Sequence, residues 1–174
     1  KDLRLMAAQG ALPLKPGDLL ELLHFLLGAP EAEVSQAAAE SLARLPVTEL
    51  LPVLKDRETP PDLLGWALSG RSEKELREAV LQNHSTPDEA VAAAAPTLTQ
   101  ELAELVVINQ TRLLRSLPLL EALESNAGLN NDQRRRLREL RETFRIGAEP
   151  EAPPPAPPPP PAGPAPGLAR APPI

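Results

Sequence analysis

The chain has 174 residues, a formal net charge of −6, 23 prolines, one tryptophan, two phenylalanines and no tyrosine or cysteine. The acidic balance disfavours a general nucleic-acid or anionic-membrane binder, which needs a positive field. Without cysteine there is neither a disulfide nor a thiolate metal site, and no apolar run reaches the 18 residues of a membrane-spanning helix.

The composition divides near Gly147. Residues 148–174 hold 13 of the prolines and almost no large apolar side chains, whereas residues 1–147 hold nearly all the Leu, Val and Ile. Glu149, Glu151 and Arg170 account for one of the six negative charges, so residues 1–147 carry −5. A core must therefore come from residues 1–147, and it must be made of Leu and Ala. That composition suits closely packed helices better than a sheet, which favours β-branched and aromatic residues.

In chain order, "DLRLMAAQ" reads as a short helix stopped by Gly10. After the linker "ALPLKPG", Asp18 is placed to cap a helix with Leu19, Leu22, Leu23, Leu26 and Leu27 at helical spacing. Pro30 suits the first turn of the next helix, whose face is Val34, Ala37, Ala38, Ser41, Leu42 and Leu45. Then follow "TELLPVL", interrupted by Pro52, "TPPDLLGWALSG", and "SEKELREAVLQN" with Leu76, Val80 and Leu81 as its stripe. "TPDEAVAAAA", "TQELAELVVI", "TRLLRSL" and "PLLEALESN" continue the series, and "NNDQRRRLRELRETF" ends it with Leu137, Leu140 and Phe144 on one side. No segment alternates with a period of two. Short helices with short connections predict an all-α domain built by helix-pair stacking.

The spacing also repeats. Leu54, Leu81 and Ile108 each precede a polar turn, in steps of 27. Thr59-Pro60 aligns with Thr86-Pro87, Asp62 falls near Glu89, and Leu63-Leu64 aligns with Ala90-Val91. The third copy loses Thr-Pro, and "LESNAGLNNDQRRRL" is out of step. "LLGAPEAEVSQAAAESLARLP" resembles the second half of a HEAT repeat in its Pro-containing turn, Val34, Ala37-Ala38 and Leu42, departing from it at Ser35. "LQNHSTPDEAV" is similar to the turn of variant leucine-rich and related bacterial helical repeats. This resemblance, over residues 17–142, implies a right-handed α-solenoid of short helix pairs within a repeat domain spanning residues 1–147. It also implies a surface that binds other proteins, or less commonly nucleic acid.

Thr86-Pro87 poses a choice between a phosphoacceptor and a helix start. Thr86 at the N-cap, Pro87 at N1 and Glu89 at N3 would form a capping box, and Thr59-Pro60-Pro61-Asp62 repeats most of that chemistry. The helix start is the expected role.

Glu21 and His24 have the Glu-x-x-His spacing of di-metal bundles, but no second such motif accompanies them. A half-buried histidine is therefore expected, with no metal, no cofactor and no nucleophile–base pair. Asn83-His84-Ser85 and Asn109-Gln110-Thr111 match the glycosylation sequon and are read as turns.

The terminal helix carries Arg134, Arg135, Arg136, Arg138, Arg141 and Arg145. It can be the polar outer cap of a repeat array, or a docking face in which Arg134, Arg138, Arg141 and Arg145 meet an acidic partner. Trp66 is either inter-repeat packing or an interface anchor.

The Pro-rich segment 148–174 is expected to be disordered and polyproline-like. It serves either as a tether or free terminus, or as a P-x-x-P ligand. The N-terminus "KDLRLMAAQG" has neither an initiator Met nor a leader-like apolar stretch. With the lack of cysteine, this gives the expectation of a cytoplasmic chain or a piece of one. The sequence reading is thus a non-enzymatic scaffold for a protein partner, with nucleic-acid binding through the Arg-rich helix as the alternative.

Overall fold

The computed structural model describes residues 2–146; the tail at 148–174 lies outside the described residues. The fold is all-helical over that span. The helices are α1 (Asp2–Ala8), α2 (Pro16–Leu26), α3 (Ala32–Arg44), α4 (Val47–Lys55), α5 (Pro61–Gly70) and α6 (Lys74–Gln82). They continue with α7 (Asp88–Ala94), a 3-10 turn at Ala95–Thr97, α8 (Gln100–Val107), α9 (Gln110–Arg115), α10 (Leu117–Glu124) and α11 (Asn131–Thr143).

Local chemistry explains most of the boundaries. Gly10, with φ 72°, ends α1 in the left-handed conformation. Its N–H donates to the Ala7 carbonyl while Ala11 N–H reaches Met6, the paired bonds of a Schellman motif. Asn130 and Gln133 cap α11 reciprocally, each side chain accepting from the other's backbone N–H. Contrary to the sequence expectation, Pro52 does not interrupt α4, which runs through it with Leu50 and Leu54 on either side both fully buried. Asp18 lies inside the first turn of α2, since Pro16 opens that helix at a position where no donor is needed. Pro30 precedes α3, whose N-cap is Glu31.

Contacts run both between neighbouring helices, such as α2 with α3 and α5 with α6, and between several helices two places apart. α2 packs on α4, α4 on α6 and α6 on α8; α1 packs on α3 and α5 on α7. The short α9 shifts the register by one, so that α7 meets α10 and α8 meets α11. Between these two series lies a core made almost wholly of Leu, Ala and Val, with Leu20, Leu23, Leu54, Leu63, Leu64, Leu76, Leu113 and Leu120 fully buried. Truncating one such leucine to alanine costs about 2–5 kcal/mol.

Gly65 marks a close approach of α5 to α7, because a Cβ placed there would stand 3.5 Å from the Ala90 Cβ. That is ordinary contact, so Gly65→Ala is expected to be neutral or to stabilise the fold by up to about 1 kcal/mol through helix propensity. Gly65→Leu is expected to destabilise it by about 1–3 kcal/mol through overpacking. Urea unfolding of the two variants checks the sign reversal.

The third repeat copy departs from the first two in burial as well as in sequence. Leu54 and Leu81 are in the core, whereas Ile108 is 60% exposed. Phe144 also leaves the stripe it was assigned. Leu137 and Leu140 are buried, but the helix ends at Thr143 and Arg145 takes φ 50°, so the Phe144 ring is exposed.

Thr59 and Thr86 occupy equivalent places, but neither is an N-cap. The N-caps of α5 and α7 are Pro60 and Pro87, and no side chain caps either helix. Instead each threonine turns back. Thr59 Oγ1 donates to the Val53 carbonyl and Thr86 Oγ1 to the Val80 carbonyl, six residues earlier in both cases. Each hydroxyl thereby adds a second donor to a last-turn carbonyl of α4 or α6 that already accepts the N–H of Asp56 or Asn83. Thr86 is 1% exposed, which removes it from the reach of a kinase in the folded state. Thr86→Val keeps the shape and leaves the Val80 carbonyl with one donor fewer, so a loss of about 1 kcal/mol is expected in thermal unfolding.

Candidate functional site

Among the described residues seven polar ones are buried: Thr59, Arg71, Asn83, Thr86, Arg112, Asn126 and Gln133. Five of them tie one turn to the turn of the preceding helix pair. Arg71 donates to the Leu42 and Leu45 carbonyls at the end of α3. Asn83 Nδ2 donates to Leu54 O and Asp56 O at 2.8 Å each, while its Oδ1 accepts from Ser85 N–H. Arg112 Nη2 donates to Asn83 O. Asn126 repeats the Asn83 pattern, with Nδ2 on Ala95 O and Leu98 O and Oδ1 accepting from Gly128 N–H. Gln133 Nε2 reaches Gln100 O and Glu104.

The separations along the chain in these five sets fall between 26 and 33 residues. Exposed and partly exposed ion pairs follow the same step: Arg4–Glu31, Lys74–Glu101 and Arg115–Asp88 each join residues 27 apart. The 27-residue recurrence in the sequence thus corresponds to the distance between facing residues of successive helix pairs. Arg115 binds Asp88 with both Nε and Nη2, and this hydrogen-bonded guanidinium holds the Asp88 carboxyl below its ordinary range against the opposing effect of burial. Burial of Arg112 lowers its guanidinium pKa; Nε is 3.5 Å from Asp88, and neither Nε nor Nη1 has a hydrogen-bond partner among the described residues.

The Arg-rich helix is less available than its sequence suggests. Arg134 donates to the carbonyls of Asn126, Ala127 and Leu129, closing the α10–α11 turn. Arg141 forms a two-pronged bond to Glu124 of α10. Arg136 binds Glu104 of α8, and its guanidinium together with the Gln133 amide lowers the Glu104 carboxyl, the amide contributing more. Arg138 is exposed on the outer side, and Arg145 is exposed beyond the helix end. The four arginines assigned to one docking face therefore divide into two that build the turn and two that project outward.

Trp66 is half-buried against the core, and its ring meets His24 edge-on at a centroid separation of 6.3 Å. The contact joins α2 to α5, so His24 serves packing. Among the described residues no group of three or more His, Asp or Glu side chains is placed to hold a metal ion. Asn83 and Asn109 are both engaged, Asn109 as the N-cap of α9. No described helix is long and apolar enough to cross a membrane.

Two clefts open beside the α4–α5 turn. The larger, of about 610 Å³ between α2 and α4, is lined by Asp18, Glu21, Glu49, Asp56 and Glu58, with Lys15 at its rim. The smaller, of about 250 Å³ between the ends of α4 and α6, is lined by Lys55, Arg57, Ala79, Gln82, Asn83 and His84. Sequence reading missed both clefts, because they bring together residues of separate helix pairs. Comparison of the chain with protein-family models, with curated proteins and with solved structures found no match.

Proposed function

We propose that this chain is a non-enzymatic helical-repeat scaffold, an α-solenoid of HEAT-like helix pairs that presents its exposed surface to a protein partner. Residues 148–174 act as its tether. The observation that carries this reading is the use of the buried polar groups. All seven bond to main chain or side chains within the helical array, five of them across turns about 28 residues apart. The n to n+2 helix contacts support the same architecture, since each pair then buries its apolar face on its neighbours. An array held in this way is stiff and offers an extended surface, which suits recognition more than turnover.

The test is affinity capture with the purified chain, followed by reconstitution from purified components. A protein that rebinds in stoichiometric amount with a saturable isotherm is the expected result. Failure to retain any protein, together with catalytic turnover of a small molecule by the purified chain, would overturn the reading.

A further inference from the structure

The α4–α5 turn reads Lys55-Asp56-Arg57-Glu58, and its charges separate by position. Asp56 and Glu58 line the acidic cleft against α2, whereas Lys55 and Arg57 line the opposite pocket against the α6–α7 turn, where His84 joins them. Most of the described arginines are bound to carboxylates or carbonyls. Among the described residues the side chains of Lys55 and Arg57 have neither kind of partner, and both are exposed.

Cations at helix C-termini ordinarily answer the negative end of the dipole and its free carbonyls. That need is already met at this pocket. Asn83 Nδ2 takes Leu54 O and Asp56 O, Thr86 Oγ1 takes Val80 O, Ser85 Oγ takes Arg57 O, and Arg112 takes Asn83 O. Donors from elsewhere in the fold bond these carbonyls, and the two exposed cations line an open pocket of about 250 Å³. The carboxylates of the turn, Asp56 and Glu58, line the other cleft.

We propose that this pocket binds an oxyanion, carboxylate or phosphate, carried by a peptide segment of a protein partner. Lys55 and Arg57 supply the charge, with Arg57 able to bind two oxygens at once. The His84 ring and the Gln82 amide add hydrogen-bonding groups at the rim. The inference rests on the scaffold reading and gives it a partner chemistry.

The experiment follows backbone amide NMR shifts of the full chain at constant ionic strength. Three probes are titrated: inorganic phosphate, a glutamate-rich peptide, and the same peptide carrying phosphoserine. The expected result is saturable shifts confined to residues 55–57 and 82–85. The stronger of the two peptides identifies the source of the oxyanion. The double variant Lys55→Gln, Arg57→Gln removes no bond of the fold, so its circular dichroism should match the parent. Its affinity for that peptide should fall about fivefold or more, as expected for two exposed charge contacts.

Shifts that are absent, that centre instead on Lys15 or Arg138, or that are unchanged in the double variant overturn the proposal. A single-stranded oligonucleotide that binds the pocket more tightly than either peptide overturns the peptide assignment. A captured partner that binds parent and double variant equally removes this site but leaves the scaffold reading standing; that reading fails only by its own test.

Discussion

Arg71→Met is expected to destabilise the fold by about 3 kcal/mol, the loss associated with removing one member of a buried, hydrogen-bonded charge set. Arg71 is 9% exposed and lies just past the end of α5. Its Nη1 donates to Leu42 O at 3.0 Å and Leu45 O at 3.2 Å, and its Nε and Nη2 hold the Glu73 carboxylate. Leu45 is followed by Pro46, which cannot supply an N–H, so the end of α3 depends on this guanidinium. Methionine fills the space but donates nothing, and the two carbonyls lose these donors inside the fold. Lysine offers a single charge without the fork, so Arg71→Lys should recover less than half of the loss. A variant that loses less than 1 kcal/mol in urea unfolding would refute the assignment.

The same contact makes a pH prediction. The hydrogen-bonded Arg71 side chain is the main cause that lowers the Glu73 carboxyl from 4.5 to about 2. A carboxyl whose folded pKa is depressed contributes stability that is fully present above its unfolded value and is lost as pH falls through the folded one. The Glu73 contribution is therefore present above pH 4.5 and fades between pH 4.5 and about 2. Glu73 is partly exposed, so salt should reduce the effect. The stability gap between the parent and Arg71→Met should narrow over that window in thermal melts, which Trp66, the sole tryptophan, can report by fluorescence.

Most of the helices and the 27-residue step were legible because each is written locally, whereas Pro52 was misread as a break. Apolar spacing, Gly10 and the prolines act within a few residues of themselves, and a pairing of Thr59-Pro60 with Thr86-Pro87 needs only two windows of sequence. What the two threonines do was not legible. Both an N-cap and a bond back to the carbonyl six residues earlier fit the same letters, and the choice depends on where the preceding helix ends. Arg71, Arg112, Asn126 and Gln133 were missed for a related reason. Each acts on a main-chain carbonyl some 26–33 residues away, and no side-chain pattern marks a carbonyl. Asn83 was noticed only as part of a sequon. The Arg-rich helix was legible as a charge run, but its sequence did not show that Arg134 and Arg141 close the last turn while Arg138 faces out. The clearest signal available beforehand was the repeat step itself. Polar residues one step from a predicted helix end are candidates for this kind of tie.

Asn83→Ala and Asn126→Ala test whether these ties form a repeated device. In both places an amide bridges two carbonyls of the preceding turn and accepts a main-chain N–H two residues on. Alanine removes the bridge and leaves those carbonyls without these donors, with Leu54 O, Ala95 O and Leu98 O on the buried side. Each variant is expected to lose about 2–4 kcal/mol, a large part of the 5–15 kcal/mol that stabilises a typical domain. The melting temperature should fall by about 2–4 °C per kcal/mol. Aspartate is the sharper probe because it keeps the size and the Oδ1 acceptor but replaces the donating amide with a negative oxygen facing two carbonyls. Asn83→Asp should therefore be less stable than Asn83→Ala at neutral pH. It should recover as pH falls and the carboxyl takes up the proton that lets it donate again. The variants at 83 and 126 should respond alike, because the bonds at the two positions are alike. If Asn126→Ala is costly and Asn83→Ala is not, the two turns are held independently and the ladder is not a repeated element. If both are costly and the double variant loses close to the sum, the array is stitched turn by turn, and each tie stabilises chiefly its own pair of neighbouring turns.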